Sequence, residues 1–429
     1  MNQLDSSSMA RKRLALVLAG GGARAAYQVG VLRGLVDRFP RLEIDIVTGV
    51  SAGAINAAFL ASRAPDLRAA VDELQSLWRS LRPEHVFRVD SACLLRNLVG
   101  WGAGLISGGS ALAPRMRGLV DTSPLRSLLE RALPVRADGC IAGVEDNLSH
   151  CRPSALALTT LDYATGRTIT WVGGCAIDTW DRPSRRAVRT RFTVDHVMAS
   201  AALPLLFPAV ELAGSWHGDG GIRLAAPLSP ALHLGADQIL AISTSYRRAF
   251  HEAEAPATHG YPPPAQVLGQ LMSAIFLDVI DEDAARLQRS NDLLRELPPE
   301  QRRGYRPVDL CVMRPSVDPS EIAASFESRL PRGFRFVSRG LGTRETSRPD
   351  FLSLLMFQPD FVRELIRLGE EDVERRSLEL ATVLGLETAA SSPRATALAG
   401  GGRMSPSPAR SSAGDTDGSQ QQASPSQQA

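Results

Sequence analysis

The residue best suited to chemistry is a serine at a predicted bend between a strand and a helix. Ser51 is the centre of the pattern G-V-S-A-G at 49–53, with a glycine two residues to either side. An apolar run of strand length ends at Val47, and small, helix-favouring residues follow from Ala54 to Ala61. Because such glycines leave room for a tight turn that lifts the hydroxyl away from the sheet, the pattern is typical of a nucleophilic serine.

A glycine run nearer the N-terminus suits the stabilisation of a negative charge. Glycines 20–22 follow an apolar run at 14–18 and precede a predicted helix over 25–38. Backbone N–H groups at the start of a helix can hold an oxyanion, and in a parallel sheet they lie at the same edge as the serine bend. The spacing also fits a dinucleotide-binding loop, with Glu43 or Asp45 as the acid. Those acids lie within the next strand and not at its carboxyl end, which favours the oxyanion interpretation. A tight packing turn is the remaining alternative.

A serine nucleophile needs a base that removes its proton. None of the seven histidines stands out, and neither His233 nor His259 is favoured by its surroundings. Asp219 does stand out, because Gly218, Gly220 and Gly221 leave almost no side-chain bulk around its carboxylate. An ordinary surface turn is the competing interpretation of this motif.

Three of these motifs together resemble a known family. The segments A-G-G-G-A-R at 19–24, G-V-S-A-G at 49–53 and D-G-G at 219–221 resemble, in this order, the signatures of the patatin-like phospholipases. The segment A-S-A-A-L-P-L-L-F-P at 199–208 is similar to a further family segment, and the resemblance covers about residues 14–245. It departs at Ala25, where a glycine is common, and at His217, which we expect to be a surface histidine.

The resemblance implies a Ser–Asp dyad on a three-layer α/β/α sandwich with a mainly parallel sheet. It implies a lipid acyl hydrolase of the phospholipase A or lysophospholipase type, which forms an acyl-serine intermediate and needs neither a metal nor another cofactor. The substrate would be a phospholipid or another acyl-ester lipid. The implied site comprises the nucleophile Ser51, its direct base Asp219, the oxyanion loop with Gly20, Gly21, Gly22 and Arg24, and the supporting Gly49, Gly53, Gly220 and Gly221.

The order of predicted elements indicates an α/β domain followed by a mainly helical region. A β-loop-α-β-turn-α start is typical of a parallel sheet with helices packed on its faces. We predict a flexible N-terminus at 1–13, a patatin-like domain at 14–247, a linker at 248–264, a mainly helical region at 265–386 and a disordered tail at 387–429.

Composition narrows the classes of partner and location. The 429 residues include 48 basic and 46 acidic side chains, a net charge of +2, so nothing indicates a nucleic-acid partner. Five cysteines without C-x-x-C spacing make a zinc site or a disulfide framework unexpected, and they favour a reducing, cytoplasmic location. No segment reaches the roughly 18 apolar residues of a spanning helix, so we expect any membrane contact to be peripheral. The sequence predicts no oligomeric state.

Two kinds of segment could meet a lipid surface. A glycine-rich stretch at 100–109 suits a lid, and arginines lie beside aromatic residues at 180–192 and 332–339. Solvated faces of an arginine-rich protein are the competing interpretation. Three other functions stay open: an acyltransferase that uses the same acyl-serine, a nucleotide-binding oxidoreductase and a non-catalytic lipid-binding scaffold.

Overall fold

Two buried strands at the N-terminus begin the sheet, as the apolar runs predict. The computed structural model describes residues 11–88, 118–249, 261–276, 279–329 and 350–385, together with 252 and 254. β1 (Leu14–Leu18) and β2 (Ile46–Val50) are buried at every residue and pair in parallel. Alternate side chains reach opposite faces, so that Leu16 and Val17 belong to different apolar clusters. A strand that is covered on both faces needs such a continuous apolar run.

Within the described ranges, ten strands form one mixed sheet with a parallel centre. The others are β3 (Ala155–Asp162), β4 (Thr168–Gly174), β5 (Asp181–Arg182), β6 (Arg185–Arg189), β7 (Val210–Leu212), β8 (Ser215–Asp219), β9 (Gln238–Ile242) and β10 (Asp309–Met313). The order is β10-β9-β1-β2-β3-β4-β6-β5, with β8 also beside β3 and β7 beside β8. Neighbours from β10 to β3 run parallel, whereas β4 and β8 are antiparallel to β3.

Helices cover both faces of the sheet. In chain order they are α1 (Ala26–Arg38), α2 (Ala52–Arg63), α3 (Leu67–Ser80), α4 (Pro83–Val86), α5 (Ser123–Ala132), α6 (Ala142–Ser149), α7 (Val194–Ser200), α8 (Ser229–His233), α9 (Pro264–Phe276), α10 (Val279–Glu296), α11 (Pro319–Phe326), α12 (Asp350–Leu355), α13 (Pro359–Arg375) and α14 (Ser377–Leu384). Buried residues of α1, α2 and α13 share the apolar cluster of Leu16, whereas α8 and α10 contribute to the cluster of Val17. The architecture is therefore a three-layer sandwich.

Helix α3 illustrates how the sequence produces these elements. The Asp66 side chain accepts a hydrogen bond from the Ala69 N–H at 3.0 Å and so caps the start of the helix. Its buried residues, Ala70, Val71, Leu74 and Trp78, recur at helical spacing and form one apolar stripe. This stripe packs α3 against α1 and α2.

The region after residue 247 is built into the same sheet and helical layer. β10 pairs in parallel with β9, and α13 packs along α1. The buried Tyr27 hydroxyl donates a hydrogen bond to Asp372 Oδ2 at 3.0 Å across this helix pair. All described residues belong to one compact unit. The predicted fold class, a mostly parallel sheet between helical layers with a mainly helical C-terminal region, is confirmed.

The expectation that the cysteines would not form a disulfide is wrong. Cys151 and Cys175 form a disulfide, with their Cα atoms 5.6 Å apart. The antiparallel register of β3 and β4 pairs Ala155 with Gly174, which brings together the cysteines just outside the two strand ends. The spacing of the cysteines in the sequence does not predict this strand register. Because disulfides are rare in reducing compartments, the cysteines no longer favour a reducing location.

Of the predicted surface features, only the arginine cluster at 182–191 lies within the described residues. Most of its arginines belong to β5 and β6, the last two strands at one end of the sheet. The suggested lid at 100–109, the cluster at 332–339 and the tail from 387 lie outside the described residues. Among the helices that the structure does describe, none has the length and apolar character to cross a bilayer.

Candidate active site

Ser51 occupies a sharp turn between a strand and a helix, as its motif predicts. β2 ends at Val50 and α2 begins at Ala52, which leaves Ser51 with φ 57° and ψ −132°. A positive φ is uncommon for a residue with a side chain and stores strain that the surrounding fold must hold. A Cβ on Gly53 would clash with the Leu18 carbonyl group, so this glycine permits the close approach of α2 to β1.

Asp219 lies close to Ser51 because β2 and β8 both pair with the same side of β3. Val50, the last residue of β2, lies opposite Thr159. Asp219, the last residue of β8, lies opposite Thr160, the next residue of β3. The end of β2 and the end of β8 are therefore neighbours. The aspartate that the sequence suggests lies in a loop is instead a fully buried strand end.

The carboxyl group of Asp219 is in an environment that disfavours its charge. Burial raises the pKa of Asp219 from an ordinary value of 3.8 to about 7, although the neighbouring Ser51 hydroxyl and the Gly221 N–H lower it in part. The Gly221 N–H donates to Oδ1 at 2.8 Å. Within the described part of the chain, the buried Oδ2 has no partner that meets a strict hydrogen-bond geometry. Oδ2 is thus the oxygen left to receive a proton.

The glycine loop lies against the serine at the carboxyl edge of the sheet. A Cβ on Gly20 would lie 3.0 Å from Ser51 Cβ. Gly20, Gly21 and Gly22 are buried, and none of their N–H groups donates a hydrogen bond to a described residue. Buried N–H groups are nearly always paired in folded proteins. Unpaired N–H groups beside a serine hydroxyl are suited to a negatively charged oxygen that forms during a reaction.

An apolar cavity of about 50 Å³ opens beside Ser51. Apart from Ser51 and Gly22, it is lined by Ala52, Ile55, Leu77, Trp78, Leu81, Val86, Leu125, Leu128, Leu129, Ala201, Leu203, Phe207 and Phe357. A narrow space without charged groups suits a hydrocarbon chain. A larger cavity of about 840 Å³ lies at the amino ends of β1, β9 and β10, and neither Ser51 nor Asp219 lines it.

The combination of a serine bend, a buried aspartate and a glycine loop agrees with a comparison of the chain with protein-family models. The model described as patatin-like phospholipase matches residues 16–232, slightly more than half of the chain. The chain belongs to this family. No curated protein matches the chain at a significant level.

Several solved structures resemble this patatin-like chain distantly. Human GIVD cytosolic phospholipase A2, in complex with methyl gamma-linolenyl fluorophosphonate, is 14% identical with a TM-score of 0.40, covering 87% of this chain and 59% of that one. VipD from Legionella pneumophila is 13% identical with a TM-score of 0.29, covering 83% and 67%. ExoU of Pseudomonas aeruginosa, in complex with SpcU, is 15% identical with a TM-score of 0.22, covering 87% and 79%. The chain thus spans about three fifths of the human enzyme, and likenesses this weak carry no argument about the site.

The side chain of Arg24 binds α12 and has no recorded contact with the N–H groups of the glycine loop among the described residues. It is buried, and its guanidinium donates to Asp350 Oδ1 at 2.7 Å and to Ser353 Oγ at 2.6 Å. Both partners belong to α12, whose Leu354 carbonyl packs so closely on Gly22 that a Cβ there would clash. Arg24 therefore ties the glycine loop to α12, and a direct contact with an oxyanion stays a prediction.

Ser200 holds the serine turn of this patatin-like site in place, although no sequence motif assigns it a role. Ser200, at the end of α7, is fully buried and accepts a hydrogen bond from the Ser51 N–H at 3.1 Å. Its hydroxyl donates in turn to the Thr159 carbonyl at 2.7 Å. Ser200 therefore anchors the strained turn to β3. The segment at 199–208 was the available signal, but no spacing rule connects it to the serine bend.

The expectation that His217 is a surface residue is wrong. Its side chain is buried, and Nδ1 lies 3.0 Å from Thr160 Oγ1. Burial lowers the pKa of His217, so the imidazole is neutral at pH 7. In the ranges that the structure describes, no group of three or more His, Cys, Asp or Glu side chains is arranged to hold a metal ion.

Proposed function

We propose that this patatin-like protein is a serine-dependent lipid acyl hydrolase that works through a Ser51–Asp219 dyad. The observation that carries the proposal is the burial of Asp219 directly beside the serine turn, with its pKa raised to about 7. A general base is most effective when its pKa lies near the working pH, so at neutral pH this carboxyl group can both take up and release a proton. A histidine is then unnecessary.

In the first half of the reaction, Ser51 Oγ attacks the carbonyl carbon of the ester while its proton moves to Asp219. The carbonyl oxygen becomes an oxyanion, which accepts hydrogen bonds from the free N–H groups of the glycine loop. Each such donor contributes roughly 3–4 kcal/mol to the lowering of the barrier. The tetrahedral intermediate then collapses, and the alcohol leaves with the proton that Asp219 held. An acyl-serine remains.

In the second half, water attacks the acyl-serine and gives one proton to Asp219. Collapse of the new tetrahedral intermediate releases the carboxylic acid, and Ser51 recovers its proton from Asp219. The dyad ends in its starting state, so these residues suffice for a full turnover. The same acyl-serine would serve an acyltransferase if an alcohol replaced water.

The apolar lining of the cavity beside Ser51 supports an acyl ester as the substrate. Its lining is apolar, which offers hydrocarbon a favourable environment of roughly 25 cal/mol for each Å² removed from water. Ile55 lies one helical turn after Ser51 on α2, so its side chain borders the part of the cavity next to the nucleophile. We propose phospholipids or lysophospholipids, approached by peripheral contact with a lipid surface, as the natural substrates.

Lipid-product mass spectrometry of the wild type and Ser51→Ala tests the proposal. We expect the wild type to release fatty acids from phospholipid vesicles and to be labelled by a fluorophosphonate, and Ser51→Ala to do neither. The exposed Ser76→Ala is the matched control and should behave as the wild type. Labelling or fatty-acid release that survives in folded Ser51→Ala would refute the nucleophile. Acyl transfer to added alcohol in place of hydrolysis would indicate the acyltransferase.

A second test concerns the acyl cavity. Ile55→Phe should narrow it, which disfavours long chains more than short ones. We expect the ratio of kcat/KM for a laurate ester to that for a butyrate ester to fall by about tenfold or more. Val135→Phe, at a half-exposed position away from the cavity, is the control. An unchanged ratio in Ile55→Phe would mean that the acyl chain binds elsewhere.

A further inference from the structure

Two buried side chains hold successive carbonyl groups of the glycine loop. Gln28 Nε2–H donates to the Ala19 carbonyl at 2.8 Å, and the Thr244 hydroxyl donates to the Gly20 carbonyl at 2.5 Å. In a trans peptide the C=O and the following N–H point in opposite directions. Holding the Ala19 carbonyl therefore aims the Gly20 N–H away from Gln28. Holding the Gly20 carbonyl in the same way aims the Gly21 N–H away from Thr244.

The amide of Gln28 is oriented by a directional chain of hydrogen bonds. Trp78 Nε1–H donates to Asn56 Oδ1 at 2.8 Å, and Asn56 Nδ2–H donates to Gln28 Oε1 at 2.9 Å. An indole nitrogen can only donate, so it fixes which end of the Asn56 amide accepts. That choice in turn leaves Gln28 Nε2–H as the group that faces the loop.

The polar side chains that hold the glycine loop are buried in the core. Gln28 and Asn56 are fully buried, and Thr244 is 1% exposed. Burying amides and hydroxyls brings no gain over apolar side chains of the same size, and each must be fully hydrogen-bonded to avoid a penalty. The chain runs from Trp78, which lines the acyl cavity, to the peptide group of the loop beside Ser51. It therefore connects two walls of one site.

We propose that Gln28 and Thr244 are positioning residues that aim the N–H groups of Gly20 and Gly21 at the oxyanion. The inference rests on the proposed function. Neither side chain touches the substrate; each acts through a backbone carbonyl. Their removal should weaken the stabilisation of the transition state while the binding of the substrate stays the same.

The test compares Thr244→Val, which keeps the shape and removes the hydroxyl, with Thr244→Ser, which keeps the hydroxyl. We expect kcat for ester hydrolysis to fall about 10- to 100-fold in Thr244→Val with KM unchanged, because misaimed donors lose part of their effect. Thr244→Ser should recover most of the rate. Thr382→Val, at an exposed position, is the control for the same substitution.

Fluorophosphonate labelling distinguishes misdirected N–H groups in the glycine loop from loss of the folded structure. Thr244→Val should reach the same final stoichiometry of labelled serine as the wild type, but more slowly by a similar factor. Gln28→Met gives the same test through the other carbonyl and decides the matter if Thr244→Val does not fold. A wild-type kcat in both variants, or a loss that Thr244→Ser does not recover, would overturn the inference. An inactive and unlabelled wild type would instead overturn the proposed function, and the inference with it.

Discussion

Replacing Asp219 by asparagine should abolish ester hydrolysis and stabilise the fold, and the gain in stability should grow with pH. Burial raises the pKa of Asp219 from 3.8 to about 7. A carboxyl group with a raised folded-state pKa supports folding fully only below its unfolded-state pKa. This support is lost as the pH rises through about 7. The asparagine side chain would be neutral throughout and would keep an oxygen that can accept the Gly221 hydrogen bond.

The magnitude follows from the size of the pKa shift. A shift of roughly three units corresponds to about 4 kcal/mol between full protonation and full ionisation. Between pH 5 and pH 8 the part of this energy that changes is roughly 2–3 kcal/mol, because the unfolded-state carboxyl is already ionised at pH 5. For a chain of 429 residues this energy corresponds to a difference in Tm of roughly 3 °C.

Thermal unfolding of the wild type and Asp219→Asn at pH 5 and pH 8 measures this effect. The difference in Tm between Asp219→Asn and the wild type should increase in favour of the variant as the pH rises. The exposed control Asp292→Asn should show no such increase. In parallel, kcat/KM of the wild type should fall about tenfold per pH unit below 7, since the base must be deprotonated. A Tm difference that is constant or shrinks with pH would refute a raised pKa, and turnover by folded Asp219→Asn would place the base elsewhere.

Three further substitutions probe the glycine loop and its contact with α12. Gly20→Ala should lower kcat by about 10- to 100-fold, because its new Cβ would press on Ser51 at 3.0 Å; steady-state kinetics with unchanged kcat would contradict this contact. Asp350→Asn should lower the free energy of unfolding by about 3–5 kcal/mol, because it leaves the buried Arg24 unpaired. Arg24→Met should lower the free energy of unfolding by less, because Arg248 still lies 3.8 Å from Asp350 and balances its charge. Equal losses for the two variants in chemical denaturation would refute this difference.

The sequence predicts the local parts of this protein well because their signals are short in range. The serine turn, the first two strands and α1 follow from apolar periodicity and glycine placement within a few residues. The spatial proximity of Ser51 and Asp219, in contrast, is a long-range feature. It depends on the register of β8 against β3, and no pattern in either segment encodes that register without a family resemblance.

Contacts between distant segments account for what the sequence does not predict. The ion pair between Arg24 and Asp350 spans 326 positions, and the disulfide depends on the pairing of β3 and β4. The chain from Trp78 to Gln28 consists of residues that helical periodicity would assign to an ordinary core. Burial, which sets the pKa of Asp219, is likewise a property of the whole fold.

The position of β9 has a consequence for any shortened form of the protein. The family model ends at residue 232, yet β1 has β2 on one side and β9, Gln238–Ile242, on the other. A gene fragment that stops at the family boundary would turn a central strand into a bare edge, which invites aggregation. It would also uncover the face of α1 on which α13 packs. Recombinant fragments, chimaeras and transplanted copies of this site should therefore extend through α14.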